Sequence, residues 1–561
     1  MKFPPKSSIF VGALTFGALM LLNTDIQQTH ADEKAVDMVV SAGAPDMTQA
    51  EYDRASELYF QRCAGCHGVL RKGATGPDLT HSTMQSDELE DIFAIIHYGT
   101  DFGMPNLGDA GEITRDESQL LANFLQHPAP MPPEFGLAEM METYRLVVKP
   151  EDRPKKKEND YNIQNFFSVT LRDSGEVALI DGDTKEIVNI VQTGYAVHIS
   201  RLSASGRYLY VIGRDGRLNL IDLWMEVPDT VAEIRTGLEA RSVETSKFRG
   251  YEDQIAVAGA YWPPHYVLMD GETLEPKRII STRGYTQGEQ EYHPEPRVAA
   301  IVSSHENPTF LIAIKETGEV LMVDYRDPDN LSVTNIMTSK FLHDGGFESR
   351  KRYFMAAANA SHQIVVVDTK EKKLEAIVDV GDTPHPGRGA NFRHPEHGPV
   401  WATGHLGDNT IALIGTDPRR RKNRDKAWTV VDSLQGIGSG NLFVKTHPRS
   451  SNLWVDTPLN PDPEISHSVA VFDLNDLEKP PKVFNLAEIA GLEEGPRRAV
   501  HPEYNQAGDE VWISVWNNAD QTSAIVVFDD EKTEVKHVIK DPRLVTPTGK
   551  FNVFNTANDV Y

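Results

Sequence analysis

An apolar β-run ending in a turn recurs eight times in this chain, and that repeat restricts the fold more than any other feature. The runs are Ala178 to Asp181, Leu220 to Asp222, Leu268 to Asp270, Met322 to Asp324, Val366 to Asp368, Leu413 to Gly415, Val471 to Asp473 and Val527 to Asp529. Their ends lie 41, 48, 54, 44, 47, 58 and 56 residues apart. Most are followed by a turn and a second β-run, as in Lys185-Glu186-Ile187-Val188. Eight such units, rich in short strands and poor in helix, predict an eight-bladed β-propeller. A β-sandwich with long insertions is the alternative, and it does not account for the eight matching units. The first unit lacks a strand before Phe167, and a surplus one runs from Lys550 to Phe554. Pairing the two would close the ring and remove its free edges.

Ahead of the repeats, residues 48 to 126 read as a small all-α domain. Thr48 with Glu51, and Thr114 with Glu117, have the spacing of helix capping boxes. Tyr52, Ala55, Leu58 and Tyr59 follow the first at helical spacing, and a second helix is expected from Asp87 to His97. The first helix delivers the chain to Cys63-Ala64-Gly65-Cys66-His67, which holds both cysteines of the sequence. Two thiols at that spacing can add across the two vinyl groups of a haem, and the adjacent imidazole then reaches the iron. This is the c-type haem attachment signature. A redox dithiol would want a βαβ setting, and zinc would want a second Cys/His pair. Gly103-Met104-Pro105 lies on the loop after the second helix, so Met104 is the expected sixth ligand opposite His67. Gap-filling core is the other fate open to a methionine.

Lys2 and Lys6, an apolar run from Ile9 to Leu22 and Thr29-His30-Ala31 form a secretory signal, with cleavage expected near Ala31. The run is too short to span a bilayer. The expected division is signal peptide 1–31, c-type domain 32–126, linker 127–160 and propeller 161–561, with the mature chain in the periplasm. The linker is read from Pro128, Pro130, Pro132, Pro133 and the charge run after Lys149. A formal charge of −26 argues against nucleic acid as a partner.

A propeller's axis is a funnel on which equivalent loops converge. Three histidine-bearing segments reach it: Gly194-Tyr195-Ala196-Val197-His198, Phe341-Leu342-His343-Asp344-Gly345-Gly346 and Thr383-Pro384-His385-Pro386-Gly387-Arg388-Gly389. Arg172, Arg201, Arg214, Arg241 and Arg388 punctuate the propeller's loop segments, and guanidinium groups pair with carboxylates. The pattern fits a funnel that receives a polycarboxylated cofactor with imidazoles near its centre.

These segments, with Gly259-Ala260-Tyr261-Trp262-Pro263-Pro264 and Thr546-Pro547-Thr548-Gly549-Lys550-Phe551-Asn552-Val553, resemble the cytochrome cd1 nitrite reductases. The resemblance covers essentially the whole mature chain, in order. It implies a periplasmic homodimer whose haem c passes electrons to a non-covalent haem d1, where nitrite becomes nitric oxide. A small c-type cytochrome or cupredoxin as donor, and a hydroxylamine reductase side activity, are also implied. On the same footing, His198 would be the proximal ligand of haem d1 iron, and His343 and His385 would line the substrate face. Arg172, Arg201, Arg214, Arg241, Tyr261, Arg388 and Thr548 would hold the d1 macrocycle. Cys63 and Cys66 would carry haem c, with His67 and Met104 as axial ligands.

The chain departs from the family in two places. Between Asp32 and the first helix it has neither the arm tyrosine nor the arm histidine that some members use: its first tyrosine is Tyr52, and His30 lies before the expected cleavage site. His501 stands where glutamine is frequent. Three rivals stay open: a haem d1 maturation dehydrogenase, a haem d1 carrier without turnover, and a quinoprotein dehydrogenase. The pair His343 and His385 favours a catalyst that must protonate nitrite.

Overall fold

The computed structural model describes residues 43–561, apart from 74–75, 86–87, 101–103, 493–494, 496 and 518–519. The expected signal peptide lies outside the described residues. The helix Gln49–Arg62 begins at the expected box: the Thr48 hydroxyl accepts the Glu51 N–H, and the Glu51 carboxylate accepts the Thr48 N–H at 2.8 Å. That satisfies two of the donors a helix start leaves open. The same arrangement at Thr114 and Glu117 opens Arg115–Leu125. Between them lies Leu89–Tyr98, close to its expected place. The three helices bury one apolar cluster, which Cys63 and Ala64 join and against which Met104 packs.

Eight blade sheets follow, with a two-stranded ribbon of Gly284–Tyr285 and Tyr292–His293 beside them, and each turn-ending run read from the sequence is the third strand of its blade. The third strands are buried on both faces, which is why they read as unbroken apolar runs. The fourth strands, such as Lys373–Asp379 and Glu534–Ile539, alternate with charge and face outward. The first strands of neighbouring blades pack on one another around the axis. Closure occurs as expected: Pro547–Asn552 runs antiparallel to Phe166–Leu171, with Ser168 opposite Phe551. The strand stops at Asn552, whose side chain caps the short helix Val553–Ala557, so Phe554 is helical rather than extended.

The closing strand carries more than backbone pairing. Val553 is buried against the first two blades, and the buried Lys550 ammonium donates to the Val500 carbonyl at 3.1 Å and the Ser514 hydroxyl at 2.8 Å. A buried valine is worth about 1.5–3 kcal/mol, and the freed edge would expose unpaired backbone groups. Deleting residues 549–561 is therefore expected to lower folded yield and melting temperature; a truncated protein that melts like the full chain would contradict this.

Segment 127–160 differs from the expected tether. It forms the helix Leu137–Thr143 and a short strand, Arg145–Leu146, that adds a fifth strand to the outer edge of blade 2. Phe135 and Met140 bury into the core of blades 2 and 3, and the Trp262 indole donates to the Pro133 carbonyl at 2.8 Å. Proline density marked a chain without regular structure but hid the apolar residues that pin it down.

Candidate active site

Cys63 ends the first helix, and Ala64–His67 makes one further helical turn. Both thiols are free; Cys63 is buried and Cys66 exposed. The His67 ring is held by its Nδ1, 2.9 Å from the Pro77 carbonyl. A carbonyl can only accept, so Nδ1 carries the hydrogen and Nε2 keeps a lone pair for a metal. Burial pulls His67 below the usual imidazole range, which keeps it neutral and able to ligate. The chain passes so close at Gly76 that a Cβ there would come 2.5 Å from this ring. Met104 is half-buried on its loop, and its carbonyl accepts the Thr100 N–H at 2.9 Å.

This turn is docked onto the propeller. The Glu295 carboxylate accepts the Val69 and Leu70 N–H groups at 2.7 and 2.9 Å. Arg297 donates to the Ala64 and Gly65 carbonyls at 3.1 and 3.2 Å while paired with Glu316 at 2.7 Å. Arg214 donates to the Gln61 carbonyl at 2.7 Å and is paired with Glu239, also at 2.7 Å. The buried Glu112 joins Arg62 at 3.5 Å to Arg498 at 2.6 Å. A Cβ at Gly65 would lie 3.7 Å from Arg241 and 3.9 Å from Arg214, so the haem-attachment turn abuts the funnel itself.

The funnel segments sit on or just before the innermost strands. His198 precedes the first strand of blade 2, Arg241 lies in that of blade 3, His343 in that of blade 5 and His501 in that of blade 8. Ala196, Thr383, His501 and Thr546 all have positive φ, between 46° and 59°. For residues with a Cβ this is strained by about 1–3 kcal/mol each, a cost that clusters at functional sites. Segments from distant units thus meet because the blade order puts their first strands at one axis.

The His198 ring opens into the funnel, and one Arg241 Nη lies 3.4 Å from its Nδ1 and 3.2 Å from its Nε2. Burial, and then the Arg241 charge, hold His198 well below the usual imidazole range, so it is a neutral potential ligand. The His343 and His385 rings stand 4.9 Å apart. Asp344 lies between them, 3.0 Å from His343 Nδ1 and 3.3 Å from His385 Nε2, in ion-pair contacts. Burial opposes ionisation of Asp344, but the two imidazoles outweigh it and hold its carboxyl far below the usual range. Tyr261 is buried beneath the guanidinium groups of Arg241 and Arg297.

The donors in this funnel exceed the acceptors. Among the described residues, Arg201 Nε, Arg241 Nε, Arg388 Nη1 and Lys315 Nζ are buried without a hydrogen-bond partner. Glu244 lies 3.9 Å from both Arg201 and Arg388 and cannot satisfy either guanidinium. Burial, then Arg388, pulls Arg201 down to about 9, and burial pulls Lys315 down to about 7. Unpaired buried cations are costly, so this cradle suits a ligand carrying several carboxylates. That is the donor set haem d1 requires, and the residues fit it.

The remaining expected contacts are placed less centrally. Arg214 is engaged by Glu239 and Gln61 at the domain interface. Arg172 pairs with Asp173 at 3.1 Å and lies near Glu112 and Tyr195. The Thr548 hydroxyl is 3.1 Å from that of Thr170. Asp344, Lys315, Glu295 and Arg297 were not singled out from sequence. Asp344 adjoins His343 in the quoted motif, and that adjacency was the available signal; the other three carry no pattern.

Residues 161–556 match the family model described as Cytochrome D1 heme domain, and residues 50–125 match that of Cytochrome C oxidase, cbb3-type, subunit III. The chain is 53% identical to the nitrite reductase of Stutzerimonas stutzeri, over 93% of this chain and 96% of that one. It belongs to the cytochrome cd1 nitrite reductase family. As a cd1 enzyme it carries haem c and haem d1 and reduces nitrite. The dihydro-heme d1 dehydrogenase of Pseudomonas aeruginosa is 25% identical over 91% of this chain and 95% of its own length, and so is far less similar. A solved dihydro-heme d1 dehydrogenase shares the fold, with a TM-score of 0.65 at 22% identity over 90% of this chain and 99% of that one. No helix among the described residues is long and apolar enough to cross a membrane.

Proposed function

We propose that this cd1 enzyme reduces nitrite by one electron to nitric oxide and water, and that His343 and His385 deliver the protons. Haem c would be held by Cys63 and Cys66 with His67 and Met104 as axial ligands, and haem d1 by His198 at its iron. When bound, the two haems supply the electron and the iron at which nitrite is reduced. Arg201, Arg241 and Arg388 bind the d1 carboxylates with the donors that otherwise lack partners. Tyr261, Arg172, Arg214 and Thr548 would complete the cradle, the first beneath Arg241 and the others toward its rim. Export by residues 1–31, a c-type domain over 32–126 and a propeller over 161–561 belong to the same proposal. So do a homodimer, a small c-type cytochrome or cupredoxin as donor, and hydroxylamine as a second substrate.

One observation carries the reading. Two imidazoles 4.9 Å apart share one carboxylate in the same funnel as a neutral histidine and several buried cationic donor atoms without hydrogen-bond partners. A neutral imidazole suits a metal, and a paired one suits proton delivery to an anion. Isotopically labelled nitrite, supplied with a one-electron donor, is expected to give labelled nitric oxide as the main product. Labelled ammonium, or no nitrogen product, would overturn the reading.

A further inference from the structure

We infer that Asp344 is a positioning residue for nitrite reduction: its one carboxylate holds both His343 and His385 and supplies the negative charge that favours a proton on the rings. The inference rests on the reading of those histidines as proton donors. Adjacent strand residues normally point to opposite faces of a sheet. Here the pairing of the first two strands of blade 5 slips between Leu342 and Gly345, so His343 and Asp344 form a bulge. A bulge re-aims side chains, and this one brings two consecutive residues to the same side, facing His385. The two following glycines are needed for it. A Cβ at Gly345 would come 2.4 Å from the Met355 carbonyl, and one at Gly346 would come 2.2 Å from that of Arg388.

The contacts of His385 determine what Asp344 does. Its Nδ1 is 2.9 Å from the Leu442 carbonyl, which can only accept, so Nδ1 carries a hydrogen. The atom facing Asp344, at 3.3 Å, is therefore Nε2. A lone pair there would point at a carboxylate; a hydrogen there makes the ring an imidazolium. His343 meets the same carboxylate through Nδ1 at 3.0 Å, which leaves its Nε2 to hand a proton on. Besides the neutral ring of His198, the charges facing Asp344 are Lys315, Arg241, Arg201 and Arg388. All of them oppose a positive charge on the pair. Burial, foremost, pulls His343 down to about 3, and Asp344, among the described residues the carboxylate that contacts both rings, is the group that opposes that pull.

The reaction then balances. Nitrite takes one electron from the reduced cofactors and two protons from the pair. One N–O bond breaks, its oxygen leaves as water with both protons, nitric oxide is left, and solvent returns two protons to the pair.

The test compares Asp344→Asn, Asp344→Glu, His343→Ala and His385→Ala with the wild-type holoenzyme, each with both haems counted spectroscopically, across acid and neutral pH. For Asp344→Asn at unchanged haem content, kcat at neutral pH is expected to fall at least about tenfold. The protonation that supports turnover should move to lower pH by about one to three pH units, because an opposite charge beside the imidazoles is gone. Asp344→Glu should restore part of the rate and move the profile back. If Asp344→Asn keeps the wild-type rate and profile while the histidine variants lose rate, the assignment to Asp344 is overturned and the proton-donor reading stands. A loss equal at every pH, with no rescue by glutamate, would make Asp344 a packing residue and overturn the assignment too. Wild-type behaviour in all four variants would overturn the proton-donor reading together with it.

Discussion

Alanine in place of His343 or His385 is expected to cut nitrite turnover by about 10²–10⁴-fold, the usual worth of a positioned general acid, with both haems still bound. Cleaving an N–O bond and releasing water requires two protons at one oxygen of a bound anion. Few groups in the funnel can supply them. The arginines hold their protons too firmly, and Tyr261 is pushed up by burial. His198 faces Arg241 and is held neutral. Lys315 is drawn down to about 7 by burial, so it is the one competing donor of suitable strength. Burial pulls His343 down to about 3, but unlike His198 it shares the ionised Asp344 with His385, which favours a proton there, and His385 is fixed by the Leu442 carbonyl. Steady-state nitrite reduction by haem-loaded variants checks the expectation. Near-wild-type rates with an unchanged pH profile in both would leave the pair a pocket-shaping role.

Much of this architecture is legible in the sequence because it rests on repetition. The third strand of every blade is enclosed by two neighbours, so burial writes the same apolar run eight times. The closing pair could be read from a strand missing at one end and surplus at the other. Capping boxes at Thr48 and Thr114 carry their geometry in a fixed spacing. The CXXCH turn is equally local. Interactions across distant units leave no such trace. Nothing in the residues around Glu295 or Arg297 announces that they grip the backbone of the haem-attachment turn from more than 220 positions away. The bulge that turns Asp344 toward His385 depends on register with the next strand, which the string Leu342-His343-Asp344-Gly345-Gly346 does not state. Segment 127–160 misleads for another reason: its prolines suggest a tether, while Phe135 and Met140, with Tyr144, Leu146 and Val148 beside them, pack it onto the propeller.

The second large effect is expected from His198→Ala: haem d1 is lost while haem c is retained. Ligand bonds to iron concentrate binding energy at one atom, whereas the arginine cradle spreads it over several exchangeable contacts. Removing the imidazole also leaves the Arg241 guanidinium, 3.2 Å away, as the nearest group, and a cation cannot ligate iron. Haem c is insulated from the change because its thioethers would come from Cys63 and Cys66 and its imidazole from His67, all in the helical domain. Added imidazole should restore d1 retention to His198→Gly if the loss is one of ligation rather than of folding. The most direct measurement is acid-acetone extraction of wild type and His198→Ala, with spectra of pellet and extract. The account predicts one covalently retained haem in both proteins and one green extractable haem in the wild type alone. A variant that yields the same green haem with an unchanged iron spectrum, or a wild type that yields none, would contradict it.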